Sequence, residues 1–192
     1  MMPPTAPPAP ARVLVIGTTG SGKSTLARQL AQVLDAIYIE LDALHWGPNW
    51  TEAEAGVFRA RVAEAIAPPR WVVDGNYTGK LGYLVYEAAD TVLWLDYSFV
   101  RVFSRLFVRT FRRRLRREEL WNGNRESLRS HFFTRESLFL WAVQTHWMHR
   151  RTYPERFASP EFAHLRIVRL RSPRDTQRYV EGLAGEVVGR RL

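Results

Sequence analysis

Short apolar runs alternate along this chain with longer stretches whose apolar residues recur every three or four positions. Arg12–Ile16 (RVLVI) is a continuous aliphatic run and predicts a strand buried on both faces. Lys23–Leu34 places Leu26, Leu30, Val33 and Leu34 on one helical face. Ala36–Glu40 (AIYIE) predicts a second strand. Trp50–Ile66 carries Val57, Phe58, Val62 and Ile66 at helical spacing, with Thr51 as the expected N-cap and Glu54 three residues on. Pro68 and Pro69 stop that pattern, and Trp71–Asp74 (WVVD) predicts a third strand. Thr91–Leu95 (TVLWL) and Arg166–Leu170 (RIVRL) predict the fourth and fifth. Arginine-rich helices are expected between Ser98 and Tyr153. A last helix is expected over Ser172–Val188, capped by Ser172 with Pro173 at its first position.

Strand and helix in alternation imply an α/β fold. The expected architecture is one domain over residues 12–192: a five-stranded parallel sheet with helices on both faces and an arginine-rich helical lid. Right-handed crossovers bring the C-terminal ends of such strands to one edge, where ligands bind.

Directly after the first strand, Gly17-Thr18-Thr19-Gly20-Ser21-Gly22-Lys23-Ser24 spells G-x-x-x-x-G-K-S, the Walker A pattern of a phosphate-binding loop. Backbone N–H groups of such a loop converge on an anion, and the following helix adds the positive end of its dipole. The loop and Thr25 after it are therefore the candidate contacts for ATP. Lys23 is placed to reach the β- and γ-phosphates, and the Ser24 hydroxyl to ligate Mg²⁺.

Three acids fall at the same edge: Glu40 and Asp42 at the second strand, Asp74 at the third. Mg²⁺ at a phosphate site takes one or two carboxylates and keeps most of its waters. Asp74 is the expected anchor of that hydrated metal, and Asp42 the group facing a phosphoryl acceptor. Residues 42–67 form the expected acceptor side. His45, Trp46 and Trp50 in this segment either pack the domain or meet a ligand.

Composition narrows the classes. The chain has 192 residues, 46% of them hydrophobic, and no cysteine, which removes disulfides and thiol chemistry. No stretch is apolar enough for a membrane span, and Met1–Ala11, with five prolines, predicts an extended disordered tail and a cytoplasmic protein. The net charge is +9, and it is localised: between Arg101 and Arg156 fourteen arginines face five acids, while the remainder is balanced. Arg101, Arg105, Arg109 and Arg112 share one helix face, and Trp121–Glu126 (WNGNRE) is a glycine-containing polar loop within the basic region. Arginine grips phosphate bidentately. Residues 112–133 are therefore the expected lid, with Arg109 and Arg125 steadying a transferring phosphoryl group. The same charge also fits nucleic-acid binding gated by a nucleotide.

Over residues 12–185 the chain resembles the nucleoside monophosphate kinase group of P-loop kinases, adenylate kinase in particular, and the bacterial topology modulation proteins. The resemblance rests on GTTGSGKS at Gly17–Ser24, VVDGNY at Val72–Tyr77, and Asp96 followed by arginines nine and thirteen residues later, Arg105 and Arg109. It implies that Asp74 organises the Mg²⁺ waters, that Arg105 stacks on the nucleotide base, and that Arg109 touches its phosphates. ELDALHW at Glu40–Trp46 is similar to the acidic strand end of shikimate and gluconate kinases, which implies that Asp42 holds the acceptor. The arginine that follows the Asp-Gly pair in adenylate kinases is replaced by Asn76, Tyr77 and Thr78. The expected activity is thus ATP-dependent phosphoryl transfer to a small-molecule acceptor, a nucleotide or another hydroxyl compound, by a monomer or dimer. Nucleic-acid binding and plain ATP hydrolysis are the alternatives.

Overall fold

A computed structural model describes residues 9–116, 121–124 and 138–189. Its centre is a five-stranded, all-parallel sheet of β1 (Arg12–Gly17), β2 (Ile37–Glu40), β3 (Trp71–Asp74), β4 (Thr91–Leu95) and β5 (Arg166–Leu170), in the order β2-β3-β1-β4-β5. The central strand, β1, is buried from Val13 to Gly17, and this is why it reads as an unbroken aliphatic run. Its residues alternate between two cores. Leu14 and Ile16 join Ile39, Phe58, Trp71, Val73 and Trp94 on one face, whereas Val13 and Val15 join Leu26, Leu30, Val72, Leu93 and Leu183 on the other.

Helix α1 (Lys23–Leu34) buries Leu26, Ala27, Leu30, Ala31 and Leu34, and it ends at Asp35, a left-handed C-cap whose N–H returns to Ala31. Thereafter come α2 (Leu41–His45), α3 (Ala55–Ala65), α4 (Thr78–Leu81), α5 (Leu84–Ala88), α6 (Phe99–Arg116), α7 (Leu138–Phe157) and α8 (Pro173–Gly189). Ser172 Oγ accepts the N–H of Asp175 and so caps α8 as expected.

Local detail corrects or extends the expectations at four places. The helix expected from Trp50 begins only at Ala55, because Glu54 caps it by accepting the Gly56 N–H, while Thr51 Oγ1 donates to Pro48 and closes a 3₁₀ turn. After β2 the chain is helical from Leu41 to His45, with Asp42 in the first turn. On α6, Val102, Leu106 and Thr110 face inward at i, i+4 and i+8, whereas Val108 and Phe111 are exposed. Ahead of β1, Ala9 packs on the second core, and the N–H groups of Ala11 and Arg12 donate to Asp90.

Candidate active site

The C-terminal edge of the sheet gathers the site. Register sets Glu40 beside Asp74, and Asp74 beside Val15, two residues before the phosphate loop. The loop turns through left-handed backbone at Gly20 (φ 82°), where an added Cβ would stand 2.8 Å from the Val102 carbonyl and 2.9 Å from Leu106. Thus α6 packs directly on the loop. Gly22 (φ 98°) is the N-cap of α1 and supplies no side chain to its first turn. The N–H groups there are left for an anion.

Lys23 lies over this turn, its Nζ 3.4 Å from the Thr18 carbonyl. Burial lowers its pKa, while the charges of Asp74 and Asp42 oppose that and Arg109 adds to it. Lys23 is therefore within electrostatic reach of three of the groups that the sequence nominated. Burial raises the pKa of Asp74, while the charge of Lys23 and the nearby Ser24 hydroxyl oppose that. Asp74 is almost fully buried, yet its Oδ1 has no hydrogen-bond partner. A buried carboxylate oxygen with spare capacity beside a serine hydroxyl fits the water shell of Mg²⁺. Thr18 and Ser21 are buried within the loop, and Thr25 is exposed on the first turn of α1.

Arg105 projects from α6 onto the loop: its guanidinium is 3.4 Å from the Ser21 carbonyl and packs over the Tyr97 ring at 5.6 Å. Arg109, one turn on, is partly buried. The anchor expected before them, Asp96, is itself occupied, accepting from Arg150 at 2.6 Å and Arg169 at 2.6 Å. Of the expected lid, residues 112–116 close α6 and Trp121–Gly123 forms a turn; Arg125 lies outside the described residues.

On the acceptor side, Asp42 accepts a 2.5 Å hydrogen bond from the Tyr77 hydroxyl, which Trp46 contacts in turn. His45 is core packing: it is buried among Trp46, Phe58 and Tyr77, and its Nε2 meets Lys80, itself paired with Glu52. The tryptophans meet neighbours too, with Trp46 edge-on to Trp50 at 5.5 Å and Trp50 edge-on to Trp121 at 6.4 Å. Asn124 closes this cluster by accepting from the Trp50 N–H and donating to the Gly47 and Trp121 carbonyls, each at 2.8 Å. Asn122 donates to the Trp46 carbonyl. Sequence reasoning did not single out Tyr77, His149 or Tyr153. VVDGNY was a signal for Tyr77; nothing in the pattern of α7 distinguishes His149. A cavity of about 690 Å³ lined by Arg28, Asp35, Tyr38 and Arg70 sits where β2 and β3 begin, at the opposite edge from Lys23.

No protein-family model and no curated protein sequence matches the chain. Solved structures do. A gluconokinase from Sinorhizobium meliloti 1021 shares 20% identity over 95% of this chain and 98% of that one, with a TM-score of 0.51. A shikimate kinase from Bacteroides thetaiotaomicron shares 14% over 93% and 99%, with a TM-score of 0.55. The shikimate kinase from Acinetobacter baumannii, solved with shikimate, shares 14% over 95% of each chain at a TM-score of 0.55. At these identities the likeness establishes the fold alone: α/β, built on a five-stranded parallel sheet.

Proposed function

We propose that this protein is a small-molecule kinase that transfers the γ-phosphoryl group of Mg·ATP to a hydroxyl of its acceptor. The observation that carries this reading is the placement of the Gly17–Ser24 loop at the sheet edge where register sets Asp74 beside Val15 and Glu40 beside Asp74, with α6 packed on the loop. The loop from Gly17 to Ser24, with Thr25, binds the phosphates through backbone N–H groups and the α1 dipole. Ser24 and, through water, Asp74 would hold Mg²⁺, which supplies charge neutralisation at the transferring group. Asp42 accepts the proton of the attacking hydroxyl, and Tyr77 holds its carboxylate in place. Arg109, with Arg125, stabilises charge on the migrating group, while Arg105 braces the loop.

The fold neighbours are kinases of polyhydroxylated acids, and this favours a sugar-like or cyclic hydroxy acceptor over a nucleotide. Part of the arginine charge that suggested nucleic acid is engaged inside the fold: Arg105 on the loop, Arg150 on Asp96, Arg156 over the rings of Tyr83, Tyr86 and Tyr153. The deciding experiment follows ADP release across sugar acids, polyols, shikimate-like acids, nucleosides and nucleoside monophosphates. Acceptor-dependent release that disappears in Lys23→Ala supports the reading. Equal release without any acceptor overturns it in favour of an ATPase.

A further inference from the structure

The two faces of α6 differ in what they meet. Inward, Val102, Leu106 and Thr110 are buried, and Arg105 turns onto the Ser21 carbonyl of the phosphate loop. Outward, Val100 (74%), Val108 (63%), Phe111 (51%) and Leu115 (76%) are exposed. At about 3.6 residues per turn these four fall within an arc of roughly 80°, a stripe that runs most of the length of the helix. Ser104 lies in the same arc and donates its hydroxyl to the Val100 carbonyl at 2.7 Å, so its polar group is satisfied on the helix itself. Phe107 borders the stripe and stacks on Phe111 at 5.9 Å. Arg101 and Arg112 flank it, both exposed, and the sequence of α6 holds seven arginines and no acid. A contiguous exposed apolar stripe with a charged border marks an interaction face.

The chemistry of that face selects its occupant. Side chains three-quarters exposed stand on a ridge rather than in a groove. A rigid protein partner would have to bring a matching groove, whereas a fluid lipid interface closes around a ridge of any shape. A second copy of the chain would set its own arginines against Arg101 and Arg112, and like charges repel. Nucleic acid would engage the arginines and leave Val100, Val108 and Leu115 in water. An anionic bilayer surface answers both features: its phosphates meet the arginines, and the boundary with its acyl chains takes the aliphatic groups. Beside the first turn of α6, the exposed Trp147 of α7 stacks on Phe99 with Arg150 over its ring, an aromatic–cation pair suited to the headgroup region. No helix among the described residues is long and apolar enough to cross a membrane, so α6 would lie along the surface.

We propose that the outer face of α6 is a docking surface for anionic lipid, which seats the protein on a negatively charged membrane. The phosphate loop packs against the opposite face, where Gly20 approaches Val102 and Leu106, so lipid on the outer face does not touch it.

The test is co-sedimentation of the full chain, at physiological salt, with vesicles of phosphatidylglycerol mixed with phosphatidylcholine and with vesicles of phosphatidylcholine alone. Binding to the mixed vesicles should be about ten-fold tighter or more. Val100→Ser combined with Val108→Ser should weaken it on the order of ten-fold. Arg101→Gln combined with Arg112→Gln should weaken it about ten- to thirty-fold. Arg12→Gln combined with Arg28→Gln removes the same charge from β1 and α1 and should change it less than about two-fold. All six side chains are exposed, so urea midpoints should stay at the wild-type value. Wild-type binding by the valine pair overturns the proposal, since the chain then adsorbs by charge alone. Equal losses from the two arginine pairs overturn it in the same way, and so does failure of the wild type to bind the mixed vesicles. A dimer in sedimentation velocity that the valine pair abolishes would give the stripe to a second copy and overturn it. Oligonucleotide binding without vesicle binding would give the arginines to nucleic acid, with the same consequence. None of these readouts depends on phosphoryl transfer, so the surface and the kinase reading stand or fall separately.

Discussion

The two sides of the crevice are built in opposite ways. The donor side is one contiguous stretch, Gly17–Thr25, whose groups are mainly backbone and whose geometry follows from a strand, three glycines and a helix start. On the proposed kinase reading, the acceptor side would draw on distant elements instead: Asp42 on α2, Tyr77 after β3, and the turn at Trp121–Asn124. Phosphate is the same in every ATP, so a local backbone cradle suffices for it. Discriminating one acceptor from another takes side chains from several directions, each replaceable without disturbing the loop. Substitutions on the donor side should therefore abolish the reaction outright, and those on the acceptor side should shift what is phosphorylated and how well.

The largest effect is expected at Lys23. Lys23→Ala should lower turnover on the order of a thousand-fold and weaken ATP binding in calorimetry. Unchanged ATP affinity would break the donor half of the contrast. Next, Arg109→Ala should reduce kcat about a hundred- to a thousand-fold while ATP affinity changes only a few-fold, because the charge it meets develops in the transition state. Arg125→Ala is expected to do the same, and Arg105→Ala, which removes the brace on Ser21, to act on ATP affinity instead. An Arg109→Ala enzyme of normal rate would show that α6 contributes packing alone.

Asn124→Ala separates stability from chemistry. Asn124 is 4% exposed and makes three hydrogen bonds that join Trp121 to the 47–50 turn. Its loss should cost about 1–3 kcal/mol in urea unfolding, with ATP affinity intact. A smaller step is expected at Tyr77→Phe: losing the hydroxyl that orients Asp42 should cost about 1 kcal/mol, read as a several-fold rise in acceptor KM. If the Phe variant instead lost ATP affinity, the two sides would not be independent.

A separate effect concerns pH. His149 titrates at about 4 in the folded chain against 6.5 for the free side chain. The unfolded chain binds that proton first, so the stability tied to neutral His149 is complete above pH 6.5 and is lost as pH falls towards 4. Urea midpoints at pH 7 and pH 5 should differ less for His149→Gln than for the wild type. An identical difference would place the imidazole in water.

Much of this architecture was legible in the chain itself. β4 and β5 coincide with their predicted residues, α1 begins and ends where expected, and the phosphate loop sits between β1 and α1. These features depend on neighbours in sequence: aliphatic runs, a 3.6-residue period, glycines at turns. Where the local signal was ambiguous it misled. Thr51 and Glu54 are both good caps, and only the fold shows that Thr51 closes a turn while Glu54 starts the helix.

Asp96 shows the same boundary at the site. Counting residues from it located Arg105 and Arg109, yet its own partners, Arg150 and Arg169, lie 54 and 73 positions away. By itself the sequence determined the sheet, the loop, Lys23, Ser24 and the strand-end acids, because each is specified by a few adjacent residues and their backbone hydrogen bonds. The tertiary structure alone decided that Asn76 meets His149 and Tyr153, 73 and 77 residues on, and that Asn124 reaches Trp50. Contacts of that span exist only once the order β2-β3-β1-β4-β5 brings the end of β3 and the inner face of α7 to the same crevice.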